Sequence, residues 1–549
     1  MKLTKQGKLK IQSKSILWSM TFLLIGGGWI FGLFIDLTGD SGLYAAISRQ
    51  MVESGDWLNL TINGEPYDQK PHLLFWLAGL GIELFGNSNF AFKLFPFLFA
   101  LSSLWFVYKL GKLLFSHEAG FTAALIAGTS QMFFLYLLDI HTDTILQAGV
   151  SLSLWQLIAY LEKRKLFHFI WGFAGIGLAM LSKGPVGAVL PFFTVLIFLI
   201  VKRDFRQLFH LKWLMGILIV LIIISPTLYH LFDSFGWEGI RFYFITNNLG
   251  RVTGEYAGSS TDPFFYLYNM LWAFLPWTII VMAAVVFEIK SWFSRTAANT
   301  GRAALLGSVL VLLAVYSISR GKAPNYFLIM IPPLAVVTGG HLTTFKSMFL
   351  KKGRNFLCFQ GMVLAIMFLL FMAVIFFLSE KISWVPLFLL AALFVSAWLF
   401  TKNEKDSWQR LLFFSVLISG IVNIFLNAEF IPGLFRYQGA RQALQVFEEN
   451  RKPEDKLYNF AVAEYELFFM ADEKVKDIKV PGNLYNLLES DETWVYTNEI
   501  KYNDLKKMKG KIDTVYIIPQ RGMNELNLQF LNPETREKSL IFNYLIKAK

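Results

Sequence analysis

Cysteine is nearly absent: Cys358 is the only one in 549 residues. A single thiol excludes an internal disulfide framework and a multi-thiolate metal site. Charge is scarce as well. Asp, Glu, Lys and Arg make up 16% of the chain, against about 25% in an average soluble domain. Metal-ligand spacings of the HExxH or CxxC kind, a GxGxxG dinucleotide turn and a Walker phosphate loop are all missing. No tandem repeat and no low-complexity segment is visible.

What fills the chain instead is apolar. Hydrophobic residues account for 55%, with 55 Phe and 16 Trp. About twenty consecutive apolar residues span a bilayer as a helix. Runs of that kind fall near 16–36, 89–113, 119–138, 144–161, 166–182, 186–201, 213–230, 266–287, 303–319, 325–345, 356–378, 384–400 and 411–429, about thirteen in all. The expected fold is mainly α, a polytopic membrane helix bundle over 1–430. After about Ile431 the chain turns charged. A helix over Gly439 to Asn450 and short strands over Lys456–Val462, Thr493–Thr497 and Thr514–Pro519 predict a small soluble α/β domain at 431–549.

The formal net charge of +12 does not indicate a nucleic-acid partner. The basic residues sit before the first span (Lys2, Lys5, Lys8, Lys10, Lys14) and in alternate loops (Lys163 to Lys165, Lys202 and Arg203, Lys290 and Arg295, Lys351 and Lys352, Lys402 and Lys405). That is the positive-inside pattern. It places the N-terminus in the cytoplasm on an uncleaved anchor. With thirteen spans the C-terminal domain lies outside, as do the polar stretches 37–88 and 231–264.

Candidate chemistry gathers on that outer face. Asp40, four residues beyond Asp36, reads either as a general base for an acceptor hydroxyl or as a helix N-cap ahead of an amphipathic helix from Tyr44 to Glu53. Lys70, Lys183 and Lys322 are each followed closely by proline. Singly each reads as an interfacial lysine whose stem snorkels. Three on the side that is normally depleted of lysine point to an anionic ligand, with phosphate the natural candidate. Asp143, in Asp139-Ile140-His141-Thr142-Asp143, reads as a lysine partner, a substrate contact or a cap of the next helix. His141 reads as a surface histidine. Arg251 follows Asn247 and Asn248 in a long outer loop and suits a phosphate or a sugar carboxylate.

Taken in order, these elements resemble the GT-C membrane glycosyltransferases, in particular the bacterial aminoarabinose transferases and their relatives, the protein O-mannosyltransferases. The matching stretches are Asp40-Ser41-Gly42-Leu43-Tyr44, Ser54-Gly55-Asp56-Trp57, Asn63-Gly64 with Tyr67 and Lys70-Pro71, Asp143, and Lys183-Gly184-Pro185. Asn247-Asn248-Leu249-Gly250-Arg251, Phe274-Leu275-Pro276-Trp277 and Gly321-Lys322-Ala323-Pro324-Asn325-Tyr326 follow. The resemblance implies an enzyme that moves a sugar from a polyprenyl-phosphate carrier to a lipid, glycan or protein acceptor at the outer face of a bacterial inner membrane. It puts Asp40 at the catalytic carboxylate. Lys70, Lys183 and Arg251 are then set for the leaving phosphate, with Lys322 and Tyr326 lining the same region. Where these transferases carry a metal-binding Glu and His, this chain has Gln69 and Asn247, a poor zinc pair, so the zinc site that the resemblance implies is in doubt and a divalent metal stays open. The missing arginine near Leu43 and the Ser at position 41 leave sugar and acceptor open. The rival class is a multi-span transporter or lipid flippase, which places ionisable groups near the bilayer midplane.

Overall fold

The structure is a computed structural model. It describes residues 5–255, 260–293, 299–352, 354–378, 383–471, 475–479, 488, 492–507, 512–522 and 527–548, with side chains from residue 15 onward except 343–357 and 378. Of the basic residues that set the orientation, Lys2 and Arg295 lie outside the described residues, as do the side chains of Lys5, Lys8, Lys10, Lys14, Lys351 and Lys352.

The chain is a helical membrane bundle capped by a small mixed sheet. Among the described residues ten helices are long and apolar enough to cross a bilayer. The count is eleven if His117–Thr129 and Gln131–Leu138, bent by 56°, form one span. The other two of the thirteen expected runs are helical but irregular. Val186–Val201 has only 16 residues, about 24 Å of helix against a hydrocarbon core of about 30 Å. The run at 266–287 is divided into Phe265–Ala273 and Thr278–Trp292. Pro276 lies in the gap, where its missing N–H and its ring disfavour a continuous helix.

The outer stretches are more ordered than the sequence implied. Lys212–Arg241 runs past the apolar segment as two helical pieces, kinked at Gly236, where φ is 61°. It continues through a π-helical turn, Phe242–Thr246, into Asn247–Thr253. The segment expected to be a loop is therefore helical as far as Thr253. Apolar periodicity stops where charged residues begin, but backbone hydrogen bonding does not. Within 37–88, the helix Asp40–Ser54 is followed by a hairpin, Thr61–Ile62 with Glu65–Pro66. Its turn residues Asn63 and Gly64 both have positive φ, 53° and 83°, the geometry that favours Asn-Gly in two-residue hairpins. This hairpin returns the chain toward Lys70, and the helix Leu73–Phe85 leads it back to the bundle.

Two spans define the site. Thr142–Lys163 and Leu166–Lys183 run antiparallel and pack through small residues. A Cβ on Gly149 would come within 2.8 Å of the Ala179 nitrogen, and one on Gly175 within 2.7 Å of the Ser153 nitrogen. Close approach through small residues is a common way for membrane helices to pack. Here it brings the start of one helix, with Asp143, against the end of the other, with Lys183.

The C-terminal sheet has five strands in the order Lys476–Asp477, Lys456–Phe460, Thr493–Asn498, Ile541–Ala548, Ile512–Gln520. The first three pair in parallel and the last two add antiparallel. The predicted helix is present as Gly439–Asn450, and the three predicted strands appear within two residues of their expected ends. The sheet domain seats on the outer helix Asp40–Ser54. Glu466 accepts the Gly39 N–H at 2.6 Å. Arg49 donates to the carbonyls of Phe468, Phe469 and Ala471. A Cβ at Gly42 would lie 2.7 Å from Glu466 Cγ, so that contact is backbone-close.

Candidate functional site

The ends of these elements enclose a cavity of about 380 Å³ at one end of the bundle. Asp40, Lys70, Asp143, Lys183, Arg251 and Tyr326 all line it. Six of the seven candidate residues, drawn from positions 40 to 326, thus face one space. Apolar side chains line it as well, among them Leu146, Val186, Val189, Leu312 and Val315.

Asp40 is the first residue of its helix rather than the cap. The cap position is Gly39, which makes no side-chain capping bond. Asp40 lies in the first turn, where a carboxylate also meets the positive end of the helix dipole. Its side chain is 63% exposed, and Tyr44 Oη is 3.4 Å from Oδ2. An exposed carboxylate opening on a cavity is available to a ligand.

Asp143 lies in the first turn of Thr142–Lys163. It is buried and receives Lys183 Nζ at 2.6 and 2.5 Å on its two oxygens and Asn325 Nδ2 at 2.7 Å. Lys183 Nζ also sits 4.3 Å above the Tyr326 ring. Tyr326 in turn accepts Arg251 Nη1 at 2.7 Å on its hydroxyl, and Arg251 Nε donates to Asn247 Oδ1 at 3.0 Å. The chain of contacts runs Asp143, Lys183, Tyr326, Arg251, Asn247. Removing one charge from such a buried pair leaves the other uncompensated.

Lys70 differs from Lys183. Among the described residues its ammonium group makes no hydrogen bond or ion pair. Burial, with Lys183 and Arg251 nearby, lowers its pKa to about 8. It is a cation held close to other cations, which an incoming anion would relieve.

Lys322 does not line the cavity. Its Nζ donates to the carbonyls of Ser319 at 2.5 Å and Ser260 at 3.1 Å, so it closes a turn. Its neighbours Gly321, Ala323 and Asn325 line the space in its place. The sequence grouped Lys322 with the other lysines by its nearby proline, but its ammonium group is turned to local backbone carbonyls.

Sequence reasoning missed His141, read as a surface residue. It lines the cavity. Its Nε2 lies 2.8 Å from Asp139 Oδ2, and its Nδ1 lies 3.9 Å from Asp40 Oδ2. Asp139 Oδ1 accepts Ser41 Oγ at 2.6 Å. The signal was the run Asp139 to Asp143, three ionisable groups in a five-residue turn.

The two positions at which related enzymes carry metal ligands adjoin each other, but they do not fit a metal. Asn247 Oδ1 accepts from Arg251, and its Nδ2 donates to the Gln69 carbonyl at 3.4 Å. Gln69 Nε2 donates to Asp68 Oδ1 at 2.7 Å. Two neutral amides already engaged in this way offer no anionic donor set for zinc. Among the described residues no group of three His, Cys, Asp or Glu side chains is arranged to hold a metal ion.

Residues 69–230 match the family described as dolichyl-phosphate-mannose-protein mannosyltransferase. The chain is 27% identical over 339 residues to an undecaprenyl phosphate-alpha-4-amino-4-deoxy-L-arabinose arabinosyl transferase 2 of Pseudomonas fluorescens, covering 59% of this chain and 56% of that protein. It is 30% identical over 314 residues to the corresponding transferase of Edwardsiella ictaluri, covering 55% of each. The chain thus spans little more than half the length of the curated relatives it matches. The crystal structure of ArnT from Cupriavidus metallidurans bound to undecaprenyl phosphate superposes with a TM-score of 0.74 over 97% of both chains, at 19% identity. In fold this multi-pass chain is similar to ArnT along nearly its whole length, and in sequence it is similar to the undecaprenyl phosphate-aminoarabinose transferases over somewhat more than half of it.

Proposed function

We propose that this protein transfers a sugar from a polyprenyl-phosphate carrier to an acceptor on the outer face of a bacterial inner membrane, by inverting displacement with Asp40 as base. The observation that carries this reading is the meeting, in one cavity, of an exposed carboxylate with Lys70 and Arg251, beside apolar lining residues such as Leu146, Val189 and Leu312. The names of the relatives, arabinosyl transferases acting from undecaprenyl phosphate, and the undecaprenyl phosphate bound in the ArnT structure support the same chemistry.

The acceptor oxygen or nitrogen attacks the anomeric carbon while Asp40 takes its proton, a contribution of about 10² to 10⁴ in rate. The bond from that carbon to the phosphate oxygen breaks, and the phosphate gains charge. Lys70 and Arg251 meet that charge where it develops, in a partly dehydrated site. Lys183, neutralised by Asp143, holds Tyr326 and through it Arg251. The lipid chain follows these apolar residues into the membrane. The C-terminal domain, 431–549, lies on the periplasmic side with the cavity, and the N-terminus is cytoplasmic. The acceptor is a lipid, a glycan or a protein. No step is assigned to a metal.

The test supplies purified protein with a panel of polyprenyl-phosphate sugars and membrane extract, and follows free polyprenyl phosphate by mass spectrometry. Release with one donor, dependent on extract, is expected and names the sugar. Absence of release across the panel contradicts the reading.

A further inference from the structure

We propose that His141, oriented by Asp139, is the positioning residue that receives the acceptor's proton from Asp40 and resets the base. The inference rests on the transferase reading above.

The geometry is a line of three groups. Asp139 is a carboxylate and so accepts; His141 Nε2, 2.8 Å away, must carry the hydrogen. That fixes the tautomer, as a hydrogen bond at one ring nitrogen does. Nδ1 then carries the lone pair, and it is the atom facing Asp40 Oδ2 at 3.9 Å. The ring is held in place by two tyrosines packed edge-on, Tyr44 at 6.1 Å and Tyr136 at 5.7 Å between centroids. Asp139 is itself fixed by Ser41, the residue after the base. The exposed Asp40 side chain has room to turn and close the gap, and catalytic hydrogen bonds commonly tighten only with substrate present.

Protons and electrons balance. The acceptor oxygen forms its bond to the anomeric carbon and gives its proton to Asp40. The phosphate oxygen leaves with the bonding pair. The Asp40 proton passes to His141 Nδ1, leaving a carboxylate and an imidazolium, and the imidazolium releases its proton to the water of the open cavity.

The charged groups around the ring are Asp139 in its own turn, Asp40 with Tyr44 on the outer helix, Asp143 on Thr142–Lys163, and Tyr136 on Gln131–Leu138. Lys93, on Asn89–Leu114, faces Asp139. Burial alone would lower the pKa of His141, but the Asp139 carboxylate outweighs it, with Asp40 and Asp143 adding, and holds it above its ordinary 6.5. A relay needs the neutral ring, so turnover is expected to rise with pH through the His141 titration.

The experiment compares kcat and KM against pH for wild type, His141→Gln and Asp139→Asn, with the donor found above. His141→Gln is expected to lower kcat on the order of tenfold to a hundredfold, to leave donor KM within about twofold, and to lose the acid limb. Asp139→Asn, which removes the charge and keeps the shape, is expected to move that limb to lower pH. Wild-type kcat in His141→Gln, a loss confined to KM, or an unmoved acid limb in either variant would overturn the relay while leaving the transferase reading intact. No turnover by wild type would overturn both.

Discussion

Lys70 and Lys183 present the same group to one cavity, yet only Lys70 is open to a ligand. Lys183 is closed by both oxygens of Asp143. Lys70→Met is therefore expected to raise donor KM by about tenfold to a hundredfold, the scale of a charge-assisted hydrogen bond, with kcat also reduced. Its pKa of about 8 adds a pH dependence. A lysine loses charge as pH rises through its pKa, so donor affinity should fall between pH 7 and 9, and Lys70→Arg should remove that fall. Steady-state kinetics at the two pH values checks both. Lys183→Met should behave differently. It strands a buried carboxylate, which costs about 3–5 kcal/mol, and should lower the yield of folded protein in detergent. Asp143→Asn in the same chain should restore the yield. The sequence supplied the residues but not this division, because three lysines near prolines look alike until their partners are known. Lys322 shows the other side of that limit, since its partners are main-chain carbonyls that no sequence pattern marks.

At the scale of elements, the outer helix Asp40–Ser54 is held between the bundle and the sheet domain. Glu466 sits at that junction, and Glu464 lies within the sheet domain. Glu464 accepts Tyr496 and Asn543, while Glu466 accepts the Gly39 N–H. Burial raises both pKa values to about 7. A group whose folded pKa lies above its ordinary 4.5 stabilises the fold fully below 4.5, and that contribution is lost as pH rises through the folded value. Thermal unfolding in detergent should show the wild type losing stability between about pH 4.5 and 7 relative to Glu464→Gln/Glu466→Gln, which removes both titrations. Equal pH slopes would contradict this. Much at this scale was legible, because strands and amphipathic helices write their periodicity into the sequence. Asn247 to Thr253 was not, since a helix lying beyond the apolar span carries no long hydrophobic run.

For the whole molecule, the bundle was readable from run length, while loop charge supplies the orientation proposed above. The span count was less so, because a kink at Pro276 and a 16-residue helix each hide from a twenty-residue rule. With Cys358→Ser as background, single cysteines at the exposed positions Glu53 and Lys402 test the orientation. An impermeant maleimide added to spheroplasts should label the first directly and the second only after permeabilisation. The central claim is that Asp40 removes the acceptor's proton while the cations hold the leaving phosphate, and it is tested most directly in a single-turnover reaction of Asp40→Asn beside wild type, with donor binding measured in parallel. The account predicts donor binding within about twofold of wild type and a transfer rate lower by about 10² or more. Transfer at the wild-type rate would contradict it.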